Sequence, residues 1–175
     1  MIELETADGT IRIRPLNDTC NDEIAALYNS SADMRYATGA GCSVTTEDTA
    51  DAIERLSRSG NEFISGIYIS GAVAGQNKFI GIVSGKLMGK TLWIRQLAIH
   101  PGYRRQGLGT RAAGLILQYA RERYNTEQVF LSVVEDNAAG LKFWSKLGFT
   151  LIKRINKVLF DYERPYWIVI MQKKL

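Results

Sequence analysis

Leu97-Ala98-Ile99-His100-Pro101-Gly102-Tyr103-Arg104-Arg105-Gln106-Gly107-Leu108-Gly109-Thr110 is the stretch that decides how this chain is read. It passes from a strand-like apolar run, through Pro and Gly, straight into a helical pattern. A helix N-terminus presents several backbone N–H groups without intrahelical partners, at the positive end of the helix dipole. Gly107 and Gly109 carry no side chain, so the backbone there can approach an anion closely. Arg104 and Arg105 add fixed charge and forked donors. The segment reads as a pyrophosphate cradle, although a plain strand-to-helix turn with glycine would satisfy the same short pattern. Two other phosphate loops do not fit. The Walker ending Gly-Lys-Ser/Thr is absent. The dinucleotide spacing fails at Ala112, and no acidic residue follows at the ribose position.

Working outward, residues 107–123 carry Leu108, Ala112, Leu115, Ile116 and Tyr119 on one helical face. Val129–Val134 is a continuous apolar run of the kind found in buried strands. With strand Thr91–Ile99 before the loop, these make a βαβ unit whose two strands run parallel. Upstream, Phe63–Ile69 and Lys78–Leu87 are strand-like and joined by short Gly-containing connectors, which predicts antiparallel hairpins. Thr10–Pro15 alternates like a half-buried strand. A helix capped by Asp18 is expected to follow. A second starts at Thr45-Thr46-Glu47-Asp48, where Thr45 and Asp48 have capping-box spacing, and stops at Gly60. Downstream, Asn137–Leu147 is helical up to Gly148, and Leu151–Phe160 and Tyr166–Gln172 close as strands. The order β-α-α-β-β-β-α-β-α-β-β predicts one α/β (α+β) domain over residues 1–175. Its sheet is mixed and mostly antiparallel, with helices on both faces.

Composition narrows the function classes. The 175 residues are 46% hydrophobic and 23% charged, an ordinary globular mixture. No run reaches the ~18 apolar residues of a membrane helix, so no membrane partner is expected. Met1–Glu5 has neither a basic head nor an apolar run, so no secretory signal is expected. Cys20 and Cys42 read as free thiols in a reducing cytoplasm. A lone histidine, His100, and the lack of Cys clusters predict no metal site. The net charge of +4 is spread without the basic stripe of a nucleic-acid binder, so no nucleic acid is expected. A local site for a small anionic ligand accounts for the charge better.

The loop gains specificity from a second stretch about 30 residues later, Asn137-Ala138-Ala139-Gly140-Leu141-Lys142-Phe143-Trp144-Ser145-Lys146-Leu147-Gly148-Phe149. Leu97–Pro101 followed by Arg104-x-x-Gly107-x-Gly109 resembles the acetyl-CoA signature of the GNAT superfamily of N-acetyltransferases. The later stretch resembles that family's second signature, in which an Asn opens a helix ending in Lys-x-Gly-Phe. The resemblance covers residues 91–149, and the flanking element order agrees with the family layout.

The resemblance implies that Leu97, Ala98 and Ile99 lie on a strand splayed from its neighbour by a bulge and pair with the pantetheine arm of acetyl-CoA. A backbone N–H on that strand would polarise the thioester carbonyl. Arg104, Arg105, Gln106, Gly107, Leu108, Gly109 and Thr110 would form the pyrophosphate loop. Asn137 would contact the pantetheine arm, or serve only as a helix cap, and Lys142 and Lys146 would meet the ribose phosphate. The implied reaction is direct attack of a primary amine on the thioester. The sequence departs from the family at the proton donor, because Trp144 stands at the usual tyrosine position. An indole donates a hydrogen bond but does not yield its proton at useful pH. The usual base is not found either: Ser132 occupies one of its positions, and Trp93–Ile99 contains no carboxylate. His100 is expected to point away from the chemistry.

By the same resemblance, the amine acceptor would sit among Tyr28, Tyr36, Asp161 and Tyr162, where aromatic and acidic groups suit a cation. Asp33 and Glu163 lie in the same segments. Homodimers are common in the family, but no stripe here marks an interface. The alternative reading is a catalytically weak or inactive CoA-binding sensor domain.

Overall fold

The computed structural model describes residues 2–16, 20–34, 36, 43–70, 77–157 and 166–175. Among these residues eight strands form one sheet: β1 Leu4–Glu5, β2 Ile11–Pro15, β3 Glu62–Ser70, β4 Asn77–Met88, β5 Thr91–Ile99, β6 Gln128–Val134, β7 Thr150–Lys157 and β8 Tyr166–Lys174. Among the described residues four complete α-helices pack on it: α1 Asn21–Tyr28, α2 Thr46–Ser57, α3 Leu108–Tyr124 and α4 Ala138–Lys146. The sheet order is β1-β2-β3-β4-β5-β6-β8-β7. Only β5 and β6 pair in parallel, and the other six neighbouring pairs are antiparallel. The expected mixed α/β architecture is observed.

Local chemistry explains where the elements begin. Thr45 caps α2: its Oγ1 accepts from the Asp48 N–H at 3.1 Å, and the Asp48 carboxylate accepts from the Thr45 N–H at 2.8 Å. This reciprocal pair satisfies two donors that the first turn leaves bare. Helix α2 ends at Ser57 and not at Gly60, because Arg58 already closes its last turn by donating its N–H to the Glu54 carbonyl. Helix α1 starts at Asn21 behind Cys20, which makes no side-chain cap bond. The expected cap Asp18 and the thiol Cys42 lie outside the described residues.

The sheet buries a different cluster on each face. On one, α3 lays Leu108, Ala112, Ala113, Ile116 and Ala120 against Ile13, Ile67, Ile80, Val83, Leu92 and Ile94, with Trp144 of α4 and Phe149 alongside. On the other, Ile24 and Leu27 of α1 pack with Met34, Ile82 and Ala98. Strand β5 contributes to both faces in an irregular way. Leu92 and Ile94 belong to the α3 face, yet further on Ala98 belongs to the α1 face and Leu97 and Ile99 pack toward α3. The register with β4 shows the cause: Gly85 opposes Ile94 while the adjacent Ser84 opposes Gln96, leaving Arg95 as an extra residue. Such a bulge bends the strand and reverses its alternation.

Candidate active site

The bulge opens the site. β5 and β6 pair only over Thr91–Ile94 and Gln128–Leu131. Beyond that, Gln96–Ile99 stays with β4 and Ser132–Val134 stays with β8. Each strand is held by its outer neighbour while the two part, leaving a V-shaped cleft of about 620 Å³. Its floor is Ile94 and Leu131. Its walls are the open part of β5, the end of β6, the loop into α3, α4, and Asp33, Met34 and Tyr36.

The loop behaves as its glycines foretell. Gly107 caps α3 in the left-handed conformation at φ 77°, and Arg105 is also left-handed at φ 60°. Left-handed residues alternating along a turn are the arrangement in which successive N–H groups face one anion. Among the described residues nothing accepts from the N–H groups of Arg105–Thr110, whereas Arg111 N–H already bonds the Gly107 carbonyl. At Gly109 a Cβ would sit 3.6 Å from both Ile99 and Phe143. That is ordinary contact, so a methyl there would project into the cleft without disturbing the chain around it.

The two arginines differ. Arg105 is exposed and makes no hydrogen bond or ion pair with a described residue. Arg104 turns inward: Nε donates to the Ile99 carbonyl at 2.8 Å, one terminal nitrogen meets Asp33 Oδ2 at 2.5 Å, and the other lies 3.6 Å from Met34 Sδ. Burial disfavours the Asp33 anion, but hydrogen bonds from Ser31 and Arg104 outweigh that and hold its carboxyl below the ordinary range.

Opposite the loop, Asn137 caps α4 with Oδ1 accepting from the Gly140 N–H at 2.8 Å. A Cβ on Gly140 would lie 2.5 Å from Asn137 Nδ2, so the Asn137 side chain would have to shift to accommodate one. Trp144 is 8% exposed and is gripped edge-on by Phe143 at 4.9 Å and Phe149 at 5.1 Å. Its indole N–H donates to no described residue, and the ring borders the cleft. Lys142 and Lys146 border it as well, exposed and without a described partner.

The cleft thus gathers Leu97, Ala98, Ile99, Arg104, Arg105, Gly107, Gly109, Thr110, Asn137, Lys142, Trp144, Lys146 and Tyr36. Leu108 instead faces the core, and the Gln106 side chain bonds back to the Gly102 carbonyl at 3.2 Å. Tyr28 stands behind the wall. Its hydroxyl donates to Gln96 Oε1 at 3.0 Å, and burial raises its pKa to about 12 despite that bond. Asp161 and Tyr162 lie outside the described residues. His100 is exposed, and its Nδ1 accepts from the Gly102 N–H.

Arg95, Gln96, Met34 and Phe143 line the cleft without having been expected there. Arg95 is the bulge residue itself, held by both oxygens of Glu62 at 2.9 and 3.0 Å, with Lys86 3.1 Å from the same carboxylate. The signal for it was present in the spacing of Leu92, Ile94, Leu97 and Ile99, which skips one position.

Residues 24–149 match the family described as "Acetyltransferase (GNAT) family". The chain belongs to the GNAT family of acetyltransferases. It is similar to an N-alpha-acetyltransferase of Sulfurisphaera tokodaii, with 33% identity over 70 residues, 40% of this chain and 42% of that protein. The aligned part is therefore under half of that relative's length. Its fold is that of a probable GNAT acetyltransferase from Chromobacterium violaceum, with TM-score 0.83, 13% identity, and 98% and 85% of the two chains covered. It is likewise that of spermidine N-acetyltransferase from Vibrio cholerae solved with CoA and spermine, with TM-score 0.78, 15% identity, and 94% and 95% covered. No helix among the described residues of this GNAT chain is long and apolar enough to cross a membrane.

Proposed function

We propose that this protein transfers an acetyl group from acetyl-CoA to a primary amine by direct attack within a ternary complex, in the cytoplasm and without a metal. The observation that carries this reading is the open part of β5, which leads directly to the unpaired N–H groups of Arg105–Thr110. The residues present fit coenzyme A. Backbone N–H groups and the free Arg105 suit the pyrophosphate, the exposed Lys142 and Lys146 suit a further phosphate, and the apolar Leu97–Ile99 edge suits a flexible arm. The co-substrate would supply an activated thioester, and the remaining requirements fall on the chain. Leu97–Ile99 orients the arm, and a backbone N–H there stabilises charge on the carbonyl oxygen.

Proton handling sets the pace. The amine must be neutral to attack, and an alkylamine has a pKa near 10 while a chain α-amino group has one of about 7.7–8.0. Trp144 offers an N–H to hydrogen-bond near the sulfur but no proton to give. A thiol of pKa about 8.5 leaves acceptably unaided. A general acid typically contributes ~10²–10⁴-fold, so the reading is a working enzyme with room for improvement at this position. Spermidine and a peptide N-terminus are the acceptors to try first, because they correspond to the names of two relatives.

Trp144 also motivates one second reading, a domain that binds CoA without turnover. Calorimetry with CoA, together with thiol release from acetyl-CoA over a panel of amines, separates the two. Binding with turnover supports the transferase, binding without turnover on any amine supports the sensor, and no binding removes both.

A further inference from the structure

We propose that Arg104 is a positioning residue for the acceptor side of the cleft, not a ligand of the pyrophosphate; this rests on the acetyl-transfer reading above. All three guanidinium nitrogens are engaged, on the Ile99 carbonyl, Asp33 and Met34. They use three of its five N–H donors and aim the fork at the end of β5 and at Asp33 and Met34. Its charge is matched by Asp33, so the cation offered to a phosphate comes from Arg105. The contacts instead join two parts of the site that, among the described residues, no backbone hydrogen bond connects. One is the end of β5, where the reacting group is to be held. The other is the 3-10 turn Ala32–Met34, which with Tyr36 also lines the cleft. Met34 is 1% exposed and packs with Ile24, Leu27, Ile82 and Ala98. Arg104 therefore ties the height of that wall to the strand through a charge-assisted bond with fixed direction. Lysine cannot reproduce this, because a single ammonium cannot reach three partners set by a planar fork.

The test uses the full chain with Arg104→Lys, Asp33→Asn and the double variant. CoA affinity is read by calorimetry, KM and kcat on the best amine by thiol release, and amide exchange at Met34, whose N–H bonds the Ser31 carbonyl at 3.0 Å, by mass spectrometry. Both single variants should speed exchange at Met34 and raise the amine KM about tenfold. The kcat should stay within about threefold and CoA affinity within about twofold. The double variant should be no worse than the more severe single, as expected of partners in one interaction. Arg104→Lys weakening CoA about tenfold while Asp33→Asn does not would overturn the proposal. Unchanged exchange at Met34 in both variants would overturn it too. Failure of the unmodified protein to bind CoA would remove the acetyl-transfer reading and the acceptor role with it, while the exchange measurement still decides whether the tie exists.

Discussion

Two walls of the cleft are built by opposite strategies. The wall at the start of α3 is backbone: consecutive N–H groups from six residues in a row, freed by left-handed turns and missing side chains. The wall at Met34 and Tyr36 is side chain: Arg104 holds Asp33, and behind it Tyr28 holds Gln96, each through a hydrogen bond between separate elements. A backbone wall tolerates change in most of its side chains but not in the space it leaves open. A side-chain wall fails when any one partner is lost, yet can be rebuilt for a different guest.

Four changes probe that contrast. Trp144→Ala should have the largest effect, because it empties a ring packed between Phe143 and Phe149 beside the backbone wall. A loss of about 3–5 kcal/mol is expected in urea unfolding, whereas Trp144→Phe should retain most stability and Trp144→Tyr should raise turnover if the missing proton donor is limiting. Gly109→Ala comes next. Its methyl meets only ordinary contacts within the protein, so the melting temperature should hold while CoA affinity falls about 100-fold, about 2.8 kcal/mol by calorimetry. Unchanged affinity would mean the backbone wall is not the anion site. Asn137→Ala removes the α4 cap and should cost about 1 kcal/mol, visible in chemical denaturation. The smallest effect belongs to pH. The Asp33 carboxyl is depressed in the folded protein, so its contribution is complete above the unfolded value of about 3.9 and is lost as pH falls through the lower folded value. The stability gap between the unmodified protein and Asp33→Asn should stay constant from neutrality to about pH 4 and close below it.

The same contrast explains what could be read from sequence. The backbone wall is local, because strand, loop and helix follow one another within Leu97–Thr110, and glycine spacing reports it directly. The capping box at Thr45 and the βαβ unit were legible for the same reason. The two-residue β1 was not, since Leu4–Glu5 is a strand only through pairing with Ile13 and Arg12. Nor was the insertion of β8 between β6 and β7, which depends on long-range pairing of Val129 with Lys173 and its neighbours. Arg104 shows the limit at residue level: its type suggested a phosphate ligand, and only the fold shows that Asp33, 71 positions earlier, occupies it.

The extra residue in β5 makes the cleft a matter of counting. Replacing Arg95 changes which ions line the opening but leaves the strand one position too long for its neighbour. Removing it would give strict alternation with Leu97 and Ile99 still on the α3 face, and would erase the bulge beyond which β5 parts from β6. A substitution can thus alter what the cleft holds, whereas a single-codon deletion would threaten the cleft itself.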